Sequence, residues 1–329
     1  MPQTPKTPRL IIHGGAGSSM RDLSRAQRIR EALYAVVDPV YEMLEAGASA
    51  REAVVEGCRL LEDDPNFNAG TGSAIQSDGQ IRMSASLMDG DSQSFSGVIN
   101  AMRIAHPIDV AEFLQAERDR IVAGVGAAEL ARELGLEPHD PLVERRFRQW
   151  IKQRERGFAK EAAQVVAEDD QPDDGQPADD QPDEPDDRGR GTIGVVAMDA
   201  DGRLCAGTST GGRGFERIGR VSDSAMPAGN YADSHAAVSC TGIGEHIVDA
   251  CLAARVVVRV SDGMALGDAL QKSFAESDVL EHSLGAIAID RAGTIGWAKT
   301  SDILLAAYRV GEEVGDTIEL PVGTLVDTR

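Results

Sequence analysis

The sequence predicts a layered α/β fold in which antiparallel sheets are covered by helices. The segment TIGVVAMDADGRLCAGTST at 192–210 is an apolar run, an Asp-Gly turn and a second apolar run, which is typical of a β-hairpin. A close echo, GAIAIDRAGTIGWAKTS, occurs at 285–301. The helical patterns are gathered in blocks instead of alternating with single strands. This arrangement favours layered sheets over a doubly wound parallel sheet.

The first part of the chain predicts one strand followed by helices. RLIIHGGAG at 9–17 predicts a short strand running into a glycine-rich turn, and Asp78-Gly79 marks a further turn. SAREAVVEGCRLLEDD predicts a helix that begins with a capping box, because Ser49 and Glu52 have the required spacing. Three residues share the apolar face of this helix: Val54, Cys58 and Leu61. Two more helices are predicted in HPIDVAEFLQAERDR and in LVERRFRQWIKQRERGFAKEAAQVVA.

Another helix is predicted between the two hairpins. In GEHIVDACLAARVVVRV at 244–260, four residues recur at helical spacing and predict a buried face: Ile247, Cys251, Ala254 and Val258. Cys251 is therefore expected in the core, as is Cys205. The four cysteines show no C-x-x-C pair and no zinc-type spacing, so free thiols are expected. No side-chain metal site is predicted, because H-E-x-x-H is absent and the six histidines are scattered.

An acidic tract divides the chain unequally. Residues 168–187 contain 11 Asp and Glu and no Lys or Arg, and the segment 168–190 is predicted to be a disordered linker that interrupts one fold. The rest of the chain still carries 43 acidic against 33 basic residues. This excess argues against nucleic acid and anionic membranes as partners.

Composition also bears on the compartment. No apolar stretch approaches the length of a membrane span, and MPQTPKTPRL lacks the apolar region of a signal peptide, which predicts a cytoplasmic protein. The chain has only five lysines against 28 arginines. Acid excess with scarce lysine predicts adaptation to a salt-rich cytoplasm, although a GC-rich genome would also favour arginine.

Two familiar patterns are interpreted as accidental. The glycines of GRGTIG at 189–194 match a dinucleotide-binding fingerprint, but they open a strand where the fingerprint needs a helix. GTSTG at 207–211 matches the nucleophile elbow of serine hydrolases, with Ser209 as nucleophile. The elbow needs a helix directly afterwards, and GGRGFERIGR is too rich in glycine to form one.

The junction at Gly191-Thr192 raises a chemical possibility. A threonine hydroxyl becomes a competent nucleophile when a base lies beside it, and the residue's own α-amine can serve as that base once the chain is cut before it. A free α-amine has a pKa of about 7.7 to 8, so it can accept a proton near neutral pH. From the junction alone, a plain loop leading into a core strand is the simpler interpretation.

Seven motifs in one order change that interpretation. They are HGGAG at 13–17, LLEDDPNFNAGTG at 60–72, MDG at 88–90, GTIGVVA at 191–197, GTSTGG at 207–212, GRVSDS at 219–224 and SCTGIGE at 239–245. Together they resemble the plant-type L-asparaginase/isoaspartyl peptidase family of N-terminal nucleophile hydrolases. The resemblance implies a four-layer αββα sandwich. It also implies self-cleavage into residues 1–191 and 192–329 of one domain, and a homodimer of cleaved heterodimers.

The resemblance also implies the active-site residues. Thr192 would be the nucleophile and its own base, and Thr210 would orient its hydroxyl, whereas Thr208 and Ser209 would be structural. The remaining roles are as follows: Arg220 for the substrate α-carboxylate, Asp223 and the Gly244 carbonyl for the α-ammonium group, Thr241 and the Gly242 N–H for the oxyanion, Asn68 for the pocket wall, and Leu61 to Thr71 for a sodium-binding backbone loop. No other cofactor is implied. Departures from the family pattern are Ser84, Ser222 and Asn230.

The implied function is hydrolysis of L-asparagine and of β-aspartyl dipeptides, both small-molecule substrates. Two alternatives stay open. A glycosylasparaginase typically has Asp before the nucleophile and TSTNG later, whereas this chain has Gly191 and TSTGG. The other alternative is an uncleaved, catalytically silent binding protein.

Overall fold

The computed structural model describes residues 6–17, 23–158, 191–318, 320 and 325–326. The predicted linker at 168–190 and the end of the preceding predicted helix lie outside these residues. The strands are β1 (Arg9–Gly17), β2 (Met83–Asp89), β3 (Ser94–Ala101), β4 (Ile121–Ala123), β5 (Ile193–Met198), β6 (Leu204–Thr210), β7 (Asn230–Ala232), β8 (Ala236–Gly242), β9 (Leu284–Asp290), β10 (Ile295–Lys299), β11 (Ile303–Val310), β12 (Glu313–Asp316) and β13 (Leu325–Val326). The helices are α1 (Leu23–Glu45), α2 (Ala50–Asp63), α3 (Pro107–Leu114), α4 (Val125–Glu133), α5 (Glu144–Glu155), α6 (Gly244–Ala250), α7 (Leu252–Ser261) and α8 (Leu266–Asp278).

Two sheets form the centre of the fold. The larger has the strand order β12-β11-β1-β5-β6-β2-β3-β4, and the smaller has the order β13-β10-β9-β8-β7. Neighbouring strands are antiparallel except for the parallel pair β3 and β4. Strand β1 lies between β5 and β11, so chain from both sides of the acidic tract builds the larger sheet.

The core shows the predicted four layers. Along β1, Leu10 and Ile12 belong to the apolar cluster shared with α1 and α2, whereas Ile11 belongs to the cluster shared with the second sheet. This alternation is the period of two that a strand buried on both faces requires. On the far side, α7 and α8 cover the smaller sheet with residues such as Val256 and Phe274. The αββα arrangement is therefore confirmed.

Local signals in the sequence located several elements correctly. In the capping box of α2, the Ser49 N–H donates to the Glu52 carboxylate over 2.8 Å, and the Glu52 N–H donates to the Ser49 hydroxyl over 3.3 Å. The predicted face of this helix is buried. Both predicted hairpins form, as β5–β6 and β9–β10. The turn at Asp78-Gly79 also forms, with Gly79 at φ +83°.

Two predictions at glycine and cysteine were wrong. Strand β1 continues through the expected glycine turn to Gly17, with an irregularity between His13 and Ala16, because β11 pairs with both stretches. The helix predicted over 244–260 is broken at Cys251, which adopts a left-handed conformation with φ +46° and separates α6 from α7. The break resets the helical face, so that Cys251 is exposed and Val258 is 52% exposed. Cys205 is buried, as predicted.

Candidate active site

Two threonines meet where the central strands begin and end. The register of β5 on β6 places Ile193 opposite Ser209, so the preceding Thr192 lies beside Thr210. The Thr192 hydroxyl donates to the Thr210 hydroxyl oxygen over 3.1 Å, and the same oxygen accepts the Gly212 N–H over 3.1 Å. The Thr210 hydroxyl is thus held by the backbone and oriented towards Thr192.

Gly191 precedes this threonine in a conformation that few other residues adopt. Its φ is +140°, and a Cβ atom there would collide with the Asn68 side chain. The Gly191 carbonyl oxygen accepts the Asn68 N–H over 2.9 Å. The bond between Gly191 and Thr192 therefore lies in a closely packed segment whose carbonyl is already polarised by a hydrogen-bond donor.

Asn68 holds the backbone on both sides of the threonine pair. Its side-chain amide donates to the Gly212 carbonyl over 2.6 Å, and its side-chain oxygen accepts the Ala74 N–H over 2.7 Å. Its own carbonyl accepts the Gly211 N–H over 2.7 Å. Because these hydrogen bonds fix the whole residue, Asn68 is a rigid wall of the site.

Strand β8 supplies a donor pair at its end. The Thr241 hydroxyl is buried, and within the residues that the structure describes it has no hydrogen-bond partner. An unpartnered buried hydroxyl is costly unless another molecule satisfies it. Gly242 follows at φ +128°, and its Cβ position is closed by the Leu284 backbone. This geometry suits a hydroxyl and a backbone N–H that face a developing oxyanion.

Opposite charges lie at the other end of the site. The Arg220 guanidinium makes two hydrogen bonds to Glu245, from Nε over 2.9 Å and from Nη2 over 3.1 Å. Asp223 is only 4% exposed, its Oδ2 has no partner among the described residues, and burial raises the pKa of its carboxyl to about 7. A Cβ at Gly244 would lie 2.6 Å from both Arg220 Nη2 and Asp223 Oδ1, so the glycine lets these groups approach.

One pocket contains nearly all the predicted site residues. It is lined by Asn68, Gly191, Thr192, Thr210, Gly212, Arg213, Arg220, Asp223, Gly242 and Gly244. Thr241 is absent from this lining and lies directly before Gly242 in β8. The residues come from loops and strand ends of both sheets, so the pocket exists only when the two sheets are stacked.

The polar residues next to the threonine pair face inward. Ser209 lies within β6, is fully buried, and donates to the Glu62 carboxylate over 2.5 Å, so no nucleophile elbow forms. Burial raises the pKa of Glu62 to about 7. On the other face, Thr208 contacts Ser239 over 2.6 Å. His13 reaches the same serine over 3.0 Å, and burial lowers the pKa of its imidazole to about 3, so the ring stays neutral.

The family-pattern departures lie apart from the pocket lining. Asn230 is fully buried, and its amide donates to the carbonyls of Ser86 and Ala206 over 3.1 and 3.2 Å. The Ser84 hydroxyl accepts the Asn100 N–H over 3.1 Å. Ser222 caps the short 3₁₀ turn that carries Asp223, accepting the Ser224 N–H over 3.3 Å.

Sequence reasoning missed two charged residues of the site, Arg213 and Glu245. Glu245 is the last residue of SCTGIGE, a motif already assigned to the pocket, and this position is the signal that could have identified it. Its contact with Arg220 spans 25 residues and needs the folded structure. Arg213 follows TSTGG directly, and this position next to an assigned motif is the signal that could have identified it.

The asparaginase family model matches residues 6–319. The chain belongs to the asparaginase family. It is 56% identical to the isoaspartyl peptidase/L-asparaginase of Nostoc sp., over 97% of each chain. It is 35% identical to the isoaspartyl peptidase of Escherichia coli, over 94% of each chain. It is also 33% identical to the plant-type L-asparaginase of Pyrococcus horikoshii, over 91% of this chain and 95% of that relative.

Family membership makes the protein a hydrolase and confirms the resemblance seen in the motifs. In residues 6–17, 23–158, 191–318, 320 and 325–326, no group of three or more His, Cys, Asp or Glu side chains could hold a metal ion. Within that same portion, no helix is long and apolar enough to cross a membrane. The pocket itself offers hydroxyls, backbone amides and opposed charges.

Proposed function

We propose that the protein hydrolyses L-asparagine and β-aspartyl dipeptides, releasing L-aspartate. The observation that carries the proposal is the placement of the Thr192–Thr210 hydroxyl pair in one pocket with Arg220 and Asp223. An α-carboxylate and an α-ammonium group together identify a free amino-acid head, and an arginine beside a buried carboxylate matches that pair. Relatives named isoaspartyl peptidase/L-asparaginase support the same substrates.

We further propose that Thr192 becomes an N-terminal residue by self-cleavage after Gly191. Its hydroxyl would attack the Gly191 carbonyl carbon, and the Asn68 N–H, 2.9 Å from that carbonyl oxygen, would stabilise the negative charge that develops there. The bond from that carbon to the Thr192 nitrogen would then break as the nitrogen takes up the hydroxyl proton, which leaves Gly191 as an ester on Oγ1. Water would hydrolyse the ester, freeing the Thr192 hydroxyl and leaving a carboxylate on Gly191. The resulting fragments would be residues 1–191 and 192–329, with the predicted linker leaving the site at the end of the first.

In the mature enzyme, the freed α-amine of Thr192 accepts its hydroxyl proton as Oγ1 attacks the substrate's side-chain amide carbon. The Thr241 hydroxyl and the Gly242 N–H donate to the oxyanion. The protonated α-amine of Thr192 then gives its proton to the leaving nitrogen. That nitrogen departs as ammonia or as the amino group of the second residue. Water attacks the β-aspartyl ester, giving its proton to the α-amine, and L-aspartate leaves while Thr192 recovers its hydroxyl.

Sodium, assembly and compartment complete the proposal. The segment Leu61 to Thr71 comprises the carboxyl end of α2 and the loop after it, which folds back onto the helix because the Thr71 N–H donates to the Glu62 carbonyl over 2.7 Å. Backbone carbonyls at a helix end are oxygen donors, which hard cations prefer. They would hold sodium in a structural role. We also propose that the protein forms a homodimer of cleaved heterodimers and that it works in a salt-rich cytoplasm. Measuring its activity in low and in molar salt tests the adaptation to salt.

The two alternative functions are less well supported. The asparagine of TSTNG corresponds to Gly211 in this chain, where a Cβ would collide with the Ser73 Cβ and lie 2.6 Å from the Asn68 Oδ1, so a side chain has no room there unless those residues move. The unpartnered Thr241 hydroxyl and Asp223 oxygen fit a reactive pocket better than a silent one.

The test is turnover of L-asparagine, a β-aspartyl dipeptide and N-acetylglucosaminyl-asparagine by the mature enzyme. We expect the first two to be hydrolysed, and Thr192→Ser to retain more activity than Thr192→Ala. A preference for the glycosylated substrate above tenfold in kcat/KM, about 1.4 kcal/mol of transition-state discrimination, would favour the glycosylasparaginase alternative.

A further inference from the structure

Arg213 has no role in the mechanism, yet it lines the same pocket. It lies between Gly212 and Gly214, whose φ angles of +84° and +85° bend the chain on both sides of it. The neighbouring Gly212 is held at the nucleophile end of the pocket, because its N–H donates to Thr210 and its carbonyl accepts from Asn68. The backbone of Arg213 therefore starts beside the threonine pair.

The loop that carries Arg213 is anchored after the arginine as well. The Phe215 N–H donates to the Ile75 carbonyl over 2.9 Å, and the Phe215 ring packs on Phe158 with 5.8 Å between ring centroids. The Ser77 hydroxyl donates to the Glu216 carbonyl over 3.2 Å. Because the loop is fixed at both ends, binding a ligand through Arg213 carries no large entropic cost for ordering the loop backbone.

The guanidinium of Arg213 differs from that of Arg220 because it has no hydrogen-bond or ion-pair partner among the described residues. Arg220 is paired with Glu245, whereas Arg213 is exposed and, in the part of the chain that the structure describes, makes no hydrogen bond or close ion pair. At longer range, its positive charge adds to that of Arg220 in lowering the pKa of the Glu245 carboxyl. Among the described residues, Arg213 is therefore a cation of the pocket lining without a close partner, one position after the anchored Gly212.

The charges of the pocket can be compared with those of the two substrates. Among the lining residues, Arg213 and Arg220 are basic and Asp223 is acidic. The zwitterionic head of asparagine needs one group of each sign, which Arg220 and Asp223 supply. A β-aspartyl dipeptide carries one further negative charge, the α-carboxylate of its second residue, and Arg213 is the lining group left to match it.

We propose that Arg213 binds the free α-carboxylate of the leaving residue in β-aspartyl dipeptides, and so sets the preference between dipeptides and asparagine. This inference rests on the proposed function. Arginine suits the task because its planar donors match a carboxylate in a bidentate manner. The contact is made at the pocket mouth, so it raises affinity for the dipeptide and leaves the attack by Thr192 unchanged.

The experiment compares Arg213→Gln with wild type on three substrates: L-asparagine, β-aspartyl-leucine and β-aspartyl-leucine amide. We expect Arg213→Gln to lose about tenfold in kcat/KM on the dipeptide, mainly through KM, as for one exposed charge-assisted hydrogen bond. Activity on asparagine should stay within about twofold, and Arg213→Lys should recover part of the loss. The matched control is Arg217→Gln, an exposed arginine of the same loop that does not line the pocket.

Comparing β-aspartyl-leucine with its amide measures the contribution of the leucine carboxylate alone. Wild type should lose about tenfold on the amide, whereas Arg213→Gln should treat acid and amide alike, because the losses share one contact. Equal turnover of acid and amide by wild type overturns the inference. So does an equal loss on asparagine, which would place Arg213 at the amino-acid head. Failure of wild type on both asparagine and the dipeptide overturns the proposed function, and this inference with it.

Discussion

Replacing Asp223 with asparagine should stabilise the folded protein while removing its activity. The Asp223 carboxyl is 4% exposed, and burial raises its pKa to about 7, against about 3.9 for an aspartate in an unfolded chain. Between these two values the folded protein keeps a proton that the unfolded chain has released. Wild-type stability therefore falls as the pH rises through this window. Asparagine carries no such proton, so its stability should not follow this trend.

The separation of the two pKa values sets the magnitude. Each pKa unit corresponds to about 1.4 kcal/mol. The free energy of unfolding of Asp223→Asn, relative to wild type, should therefore grow by that amount per pH unit between pH 5 and pH 6.5. Above pH 7 it should level off near about 4 kcal/mol. Wild type keeps this destabilising carboxyl because the proposed substrate has an ammonium group, which a charged carboxylate binds.

The assay is urea-induced unfolding of both proteins at several pH values, with activity on asparagine measured in parallel. Asp249→Asn is the control, since Asp249 is exposed on α6. A pH-dependent gain of the same size in Asp249→Asn would indicate an effect of net charge and not of burial. Parallel stability curves for wild type and Asp223→Asn would refute the reasoning, because they would mean that the carboxyl is not protonated in the fold.

Three further predictions concern other groups of the pocket. Arg220→Ala should lose about 2–5 kcal/mol of transition-state binding. If Arg220 binds the substrate α-carboxylate, blocking that carboxylate as an amide should add little to the loss, and kcat/KM on both substrates tests this. Thr241→Val should lower kcat by about 10²–10³ and Thr241→Ser by much less, and equal losses would argue against an oxyanion contact. Gly191→Ala should slow the appearance of cleaved fragments in a time course, because the new Cβ collides with Asn68; unchanged processing would mean that the segment rearranges first.

Elements determined by local interactions could be predicted from the sequence. The capping box of α2 and the two hairpins depend on residues a few positions apart, so their patterns are complete within short segments. The resemblance of the motifs named residues far apart in the sequence, and most of them line one pocket in the fold.

Features determined by distant partners could not be predicted. Strand β1 continues through its glycines because β11 pairs alongside it, almost 300 residues later. The helical spacing over 244–260 gave no sign of the left-handed break at Cys251. The pairing of Glu245 with Arg220 and of Glu62 with Ser209 likewise depends on how the loops and layers stack.

The most direct test of the account is the intact mass of the purified protein, followed over time and combined with N-terminal sequencing. Wild type should separate into two fragments, and the smaller should begin with Thr192. Thr192→Ala should remain whole under the same conditions. A wild-type chain that stays intact while hydrolysing asparagine would contradict the central role of an N-terminal threonine. Cleavage of Thr192→Ala at the same bond in clean buffer would contradict it equally.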